Sequence, residues 1–142
     1  MDYLKQVKQL SYIINNINVV YGKLAQKHGI SYNALLILSV LDEKICTQKE
    51  ICDTLLLPKS TVHSILLEYI KKGYMTLEAG SNKKEKLIYF TESGKRYAKQ
   101  IMDNVHSVEM KAMETMGSEQ CKQLMESNQQ FYEALEKEVE HE

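Results

Sequence analysis

Apolar side chains recur along most of this chain at steps of three and four, the spacing that places them on one face of an α-helix. From Tyr3 to His28 the positions Val7, Leu10, Ile14, Ile17, Tyr21 and Leu24 keep that rhythm, and Gly29 stands where a helix would stop. Ser31 is placed to cap a second helix through Ala34, Leu35, Ile37, Leu38 and Leu41. That helix is apolar on most sides, so it is expected at the centre of the fold. Ile45 and Cys46 suggest a short added strand. Thr47 and Glu50 have the capping-box spacing ahead of a short helix with Ile51, Cys52 and Leu55 inward, Leu56 being a further inward candidate. Pro58 sits where the next helix would start, its missing N–H harmless at the first helical position, and Gly73 sits at its end. The inner face of that helix is Val62, Ile65, Leu66, Tyr69 and Ile70.

After Gly73 the period changes. Tyr74 to Leu77 and Leu87 to Phe90 read as two strands of a hairpin across a turn-rich, basic stretch from Ala79 to Lys86. Thr91 is then placed to cap a long helix through Tyr97, Ala98, Ile101, Met102, Val105, Val108, Ala112 and Met113. Gly117 and Ser118 break it, and a last helix carries Cys121, Leu124, Met125, Asn128, Phe131, Tyr132, Leu135 and Val139. The expected fold is mainly α with a small β-hairpin wing. Two helices joined by about three residues and followed by a hairpin make a winged helix-turn-helix, with Leu56-Leu57-Pro58 where a glycine usually marks the turn. A single domain over 1–142 is expected, with 31–99 as the DNA-binding lobe and 1–28 and 100–142 as dimerisation helices. Such a lobe covers only part of three long amphipathic helices, so a second copy is expected to bury the remaining stripes in a homodimer. The competing arrangement folds the terminal helices back on their own subunit.

Composition changes little in this picture. At 142 residues, with 26% charged and 44% apolar side chains, the chain has the make-up of a soluble globular protein. It has no apolar run near the roughly 20 residues of a membrane helix, and no signal-peptide run follows Met1, so the cytoplasm is the expected location. Charge is more telling, because the net −1 hides an uneven distribution. Residues 1–43 carry +1, residues 44–99 carry +5 and residues 100–142 carry −7. The positive charge falls on the predicted winged helix.

The outer face of the second helix of the motif begins Lys59, Ser60, Thr61, His63 and Ser64, short or basic hydrogen-bonding side chains without an acid. Such a face suits the major groove, where bases present donors and acceptors. Pro58, with Thr47, Gln48 and Lys49 at the start of the preceding helix, adjoins it. Asn82, Lys83, Lys84 and Lys86 of the wing would follow the phosphate backbone or reach into the minor groove. Double-stranded DNA is therefore the expected partner. The alternative is a winged helix used for protein–protein assembly, which would more often carry aromatic and apolar anchors on that face.

Other chemistry finds little support. No GxSxG, P-loop, dinucleotide-binding glycine turn or HExxH is present, so no catalytic residue is expected. His28, His63, His106 and His141 form no HxxxH pair, and His106 with Glu109 supplies two ligands at most. No metal and no cofactor are expected. Met102, Met110, Met113, Met116 and Met125 read as flexible core filling. Cys46, Cys52 and Cys121 are odd in number without CxxC spacing and read as reduced thiols.

The order of elements, with Thr47-Gln-Lys-Glu-Ile, Pro58-Lys-Ser-Thr-Val62, Lys71-Lys-Gly-Tyr74 and Tyr89-Phe-Thr-Glu-Ser-Gly94, resembles the multiple-antibiotic-resistance regulator (MarR) family. That resemblance implies a homodimeric winged-helix regulator that binds pseudo-palindromic operators and usually leaves them when a small molecule binds. It also implies an effector cleft near Tyr12, Tyr32 and Tyr97, where phenolic hydroxyls beside Asn16 would suit a small amphipathic or aromatic anion. Many members insert a wing arginine into the minor groove, whereas Asn82-Lys83-Lys84 stands here. Lysine lacks the planar fork, so mainly phosphate contacts are expected from this wing. Redox-sensing members often carry a cysteine in the first helix, and none lies between Met1 and Ile45 here.

Overall fold

Asp2, which the periodicity did not single out, starts the first helix: its carboxylate accepts from the Lys5 N–H at 3.0 Å. The computed structural model describes residues 1–81 and 84–142. Helix α1 (Tyr3–Lys27) ends as expected at Gly29, whose φ of 71° lets the Gly29 and Ile30 N–H groups return to the Gln26 and Ala25 carbonyls. It packs on α2 (Tyr32–Glu43), yet Ala25 is its one buried residue. Val7, Ile14 and Ile17 stay exposed. Ser31 caps α2 through the Ala34 N–H at 3.1 Å, and Ile37 and Leu38 are fully buried, so this helix is the centre of the core.

Helix α3 (Gln48–Leu55) and helix α4 (Lys59–Lys71) form the helix-turn-helix. Ile51, Val62, Leu66 and Tyr69 bury its inner face. Three local expectations are corrected here. No strand forms at Ile45 and Cys46. Instead the Cys46 carbonyl accepts from Ile88 N–H at 3.0 Å and Thr47 makes a single bridge to Leu87, because Thr47 must at once serve as the α3 cap. Pro58 is the cap residue of α4 and not its first helical residue, with φ −58° and ψ 143°. Leu56, an inward candidate, points outward at 88% exposure because it takes the left-handed turn conformation itself, with φ 52° and ψ 41°. A side chain there costs about 1–2 kcal/mol, which a glycine would not incur.

The wing is an antiparallel pair, β1 (Met75–Ala79) and β2 (Lys86–Phe90), with Met75 opposite Phe90 and Ala79 opposite Lys86. The strands thus reach further into the basic turn than expected, and Tyr74 lies outside them. Helix α5 (Glu92–Met116) follows, and Gly117 at φ 88° separates it from α6 (Ser118–Glu140). The chain divides into two units, residues 1–103 and 104–142. In the second unit the Cys121 thiol donates to the Met113 carbonyl at 3.3 Å, and α6 has no buried residue.

Two adjacent residues, Gly73 and Tyr74, join three elements of the first unit. Helix α4 closes with Gly73 at φ 78°, its N–H on the Ile70 carbonyl and the Tyr74 N–H on the Tyr69 carbonyl. The Gly73 carbonyl then accepts from the Thr91 and Ser93 hydroxyls at 2.6 and 3.0 Å. The Tyr74 carbonyl accepts from the Thr91 N–H at 3.0 Å. Thr91 meanwhile caps α5 through the Gly94 N–H, also at 3.0 Å. Tyr74 and Tyr97 stack with ring centroids 4.3 Å apart, and the Tyr69 hydroxyl lies 3.4 Å from that of Tyr97. Burial pushes the Tyr69 phenol above its ordinary range, with the Tyr97 hydrogen bond adding to it.

Two glycine exchanges should therefore act in opposite directions in urea titrations. A Cβ at Gly94 would run into the Tyr74 carbonyl, so Gly94→Ala should lose about 2–3 kcal/mol. Leu56→Gly should gain about 0.5–1 kcal/mol, the left-handed cost less the added chain entropy.

Candidate nucleic-acid interface

Pro58 carries no capping hydroxyl or carboxylate, and the first hydrogen bond of α4 is Val62 N–H to the Pro58 carbonyl at 3.2 Å. The amides of Lys59, Ser60 and Thr61 therefore lack acceptors within the helix, as the first turn of any helix does. At this end they also lack a side-chain cap. A helix N-terminus with free amides and a positive dipole attracts phosphate. The side chains of Lys59, Ser60, His63 and Ser64 are exposed around it, with Thr61 half-buried.

Beside that end lies a concave groove of about 520 Å³. Thr47, Gln48, Lys49 and Cys52 of the α3 side line it, with Lys59 and His63 of α4 and Leu77, Lys84, Glu85 and Lys86 of the wing. Four lysines thus converge from three elements far apart in sequence. The groove brings together most of the residues expected at a DNA surface. Ser60, Thr61 and Ser64 lie on α4 outside its lining. Asn82 and Lys83 lie outside the described residues. Leu77, Glu85 and Cys52 were not anticipated there. Period-two alternation from Met75 would have put Leu77 on one face of β1, but nothing local indicated that Glu85 and Cys52 would meet.

Two expected contact residues are already engaged within the protein. The Thr47 hydroxyl accepts from the Glu50 N–H at 3.1 Å and lies 3.4 Å from the Glu50 carboxylate, and the residue is only 6% exposed. Its part in the groove is to start α3. Lys49 lies 3.2 Å from Asp53. The Asp53 hydrogen bond and charge raise its pKa, with a smaller push from Glu85. Both partners are well exposed, so the pair adds little stability but offsets some positive charge.

Residues 28–84 match the MarR family in sequence. NMB1585, a MarR family regulator from Neisseria meningitidis, is 28% identical, with a TM-score of 0.80 over 96% of this chain and 97% of its own. The 28–84 stretch carries the MarR family's sequence pattern, and the whole chain is similar in fold to that regulator. Staphylococcus aureus MarR in complex with salicylate and kanamycin is 22% identical, with a TM-score of 0.73 over 96% of this chain and 95% of its own. Reduced AbfR bound to DNA is 20% identical, with a TM-score of 0.68 over 95% and 97%. These last two bear on the fold alone. No curated protein matches the sequence.

Of the residues expected at an effector cleft, Tyr32 and Tyr97 each have partners elsewhere in the chain. Tyr32 donates to Asn18 at 3.2 Å, and Asn18 lies on a different face of α1 from Tyr12 and Asn16. Tyr12 is 68% exposed. Tyr97 is part of the joint with Tyr69 and Tyr74. His106 Nδ1 lies 3.2 Å from Glu109. Among the described residues no three His, Cys, Asp or Glu side chains come together as a metal site, and no helix is long and apolar enough to cross a membrane.

Because the Thr47 hydroxyl caps α3, Thr47→Ala should lower the unfolding free energy by about 1 kcal/mol, and Thr47→Ser should restore most of it. Thermal and urea unfolding of the three proteins would check this.

Proposed function

We propose that this chain is a MarR-family transcriptional regulator, a homodimeric repressor that binds a pseudo-palindromic operator and is released by a small-molecule effector. The observation that carries the DNA reading is the uncapped N-terminus of α4 opening beside a groove lined by Lys49, Lys59, Lys84 and Lys86. The end of α4 enters the major groove, with Lys59, Ser60, Thr61, His63 and Ser64 toward base edges and phosphates. Pro58 and Gln48 stand beside them, and the wing lysines follow the backbone. AbfR, similar in fold, has been captured on DNA. The lysine-rich groove favours a polyanion over the protein partner of the alternative reading.

The dimer rests on unpartnered apolar surface. Val7, Ile14 and Ile17 of α1, and Phe131, Leu135 and Val139 of α6, are all exposed in the single chain. A second copy buries these stripes and sets two recognition helices about one helical turn of DNA apart, roughly 10 base pairs. An effector that changes their separation mismatches that spacing and releases the operator. Staphylococcus aureus MarR accepts salicylate and kanamycin, which supports an effector class that includes small aromatic acids. In the dimer, Tyr12, Asn16, Tyr32 and Tyr97 remain candidates for contact with such a ligand.

The test is binding to the chain's own upstream promoter fragment and to a scrambled duplex, across a salt series. Wild type should prefer the promoter with a steep salt dependence. Lys59→Ala and Lys84→Ala should weaken both duplexes alike and each reduce the salt slope by about 0.9. His63→Ala should instead change base preference at one position, by about 1–3 kcal/mol. Equal, weak binding to both duplexes at low salt would count against the regulator reading. A panel of phenolic acids that neither shifts the melting temperature nor releases DNA would count against that effector class.

A further inference from the structure

The apolar stripe of α6 is interrupted at its centre. Leu124 and Met125 precede Asn128, and Phe131, Tyr132 and Leu135 follow it, at the three-and-four spacing that aligns them all on one side of the helix. Every one of these apolar side chains is exposed in the single chain. Asn128 donates through Nδ2 to the Leu124 carbonyl at 2.7 Å. This satisfies one amide hydrogen and leaves the side-chain carbonyl and the second hydrogen for another partner. Whatever covers the stripe buries that amide, and a buried amide left unpaired is costly.

The occupant that fits is a second copy, through its first helix. Helix α6 carries six glutamates and two lysines, a net −4, whereas α1 carries four lysines and no acid, a net +4. Each helix has an exposed apolar stripe. Opposite charge flanking two apolar stripes favours α1 of one copy against α6 of another.

We propose that Asn128 fixes the register and the oligomeric state of this pairing, resting on the homodimer reading above. Only an alignment that presents a polar group of the second copy to Asn128 satisfies its amide. Slipped or higher-order assemblies leave it unpaired among apolar side chains. A single polar residue in an otherwise apolar helical seam acts in this way, selecting one arrangement at a cost in affinity.

The experiment is sedimentation velocity on full-length wild type, N128L and N128Q from nanomolar to tens of micromolar, with promoter binding and circular dichroism on the same samples. Wild type and N128Q should sediment as a single dimer. N128L should remain helical, associate at concentrations at least tenfold lower, and populate species beyond the dimer or several dimer forms, with weaker promoter binding. An N128L protein that forms one dimer with unchanged or weaker association, and binds the promoter normally, overturns the role of Asn128. A monomeric wild type overturns the dimer reading and this inference with it. The two failures are thus distinguishable.

Discussion

The backbone of Gly73 and Tyr74 is where helix α4, the wing and helix α5 meet, and their mutual orientation depends on it. Gly73 accepts two hydroxyl hydrogen bonds and Tyr74 accepts a backbone one, all from the segment that starts α5. Backbone and short hydroxyl side chains have little rotamer freedom, so these bonds define an angle better than long exposed side chains would. Gly94 permits the approach because any side chain there would meet the Tyr74 carbonyl. The Tyr69, Tyr74 and Tyr97 rings pack beside the joint with centroids 4.3 to 6.3 Å apart. A rotation of α5 would therefore be felt at the end of α4 and at the root of the wing.

The same joint explains how a chain with net charge −1 presents a cationic surface. By aiming the wing toward the start of α4, it brings Lys84 and Lys86 to the groove that already holds Lys49 and Lys59. The carboxylates that balance the whole chain lie largely in residues 100–142, away in sequence from the groove-lining segments. Among the carboxylates nearer in sequence, Asp53 and Glu85 both act on Lys49. The positive field is thus moderated within the groove.

Much of this was legible in the sequence because local rules agreed with tertiary demand. Ser31, Thr47 and Thr91 cap the helices that their spacing indicated, since a cap needs only a short oxygen-bearing side chain and the next three residues. The buried faces of α2 and α4 followed their periodicity for a similar reason. Failures came where two local roles competed for one residue or where a tight turn set the backbone conformation. Thr47 could not both extend a strand and cap a helix, so Ile45 and Cys46 form no strand. Leu56 adopts a conformation that glycine adopts more readily, because the turn before Pro58 must reverse the chain in few residues.

By itself the sequence determined the order and type of elements, the helix ends and the concentration of lysine in the winged helix. These depend on interactions within a few residues, which neighbouring side chains specify. Only the tertiary structure decided that Gly94 must be bare, that three tyrosines close one joint, that Leu77, Cys52 and Glu85 enter the lysine groove, and that Thr47 is a buried cap in its wall. Each of those depends on backbone segments brought together from distant parts of the chain, where a rotation of one helix face or a shift of one strand residue changes which atoms meet.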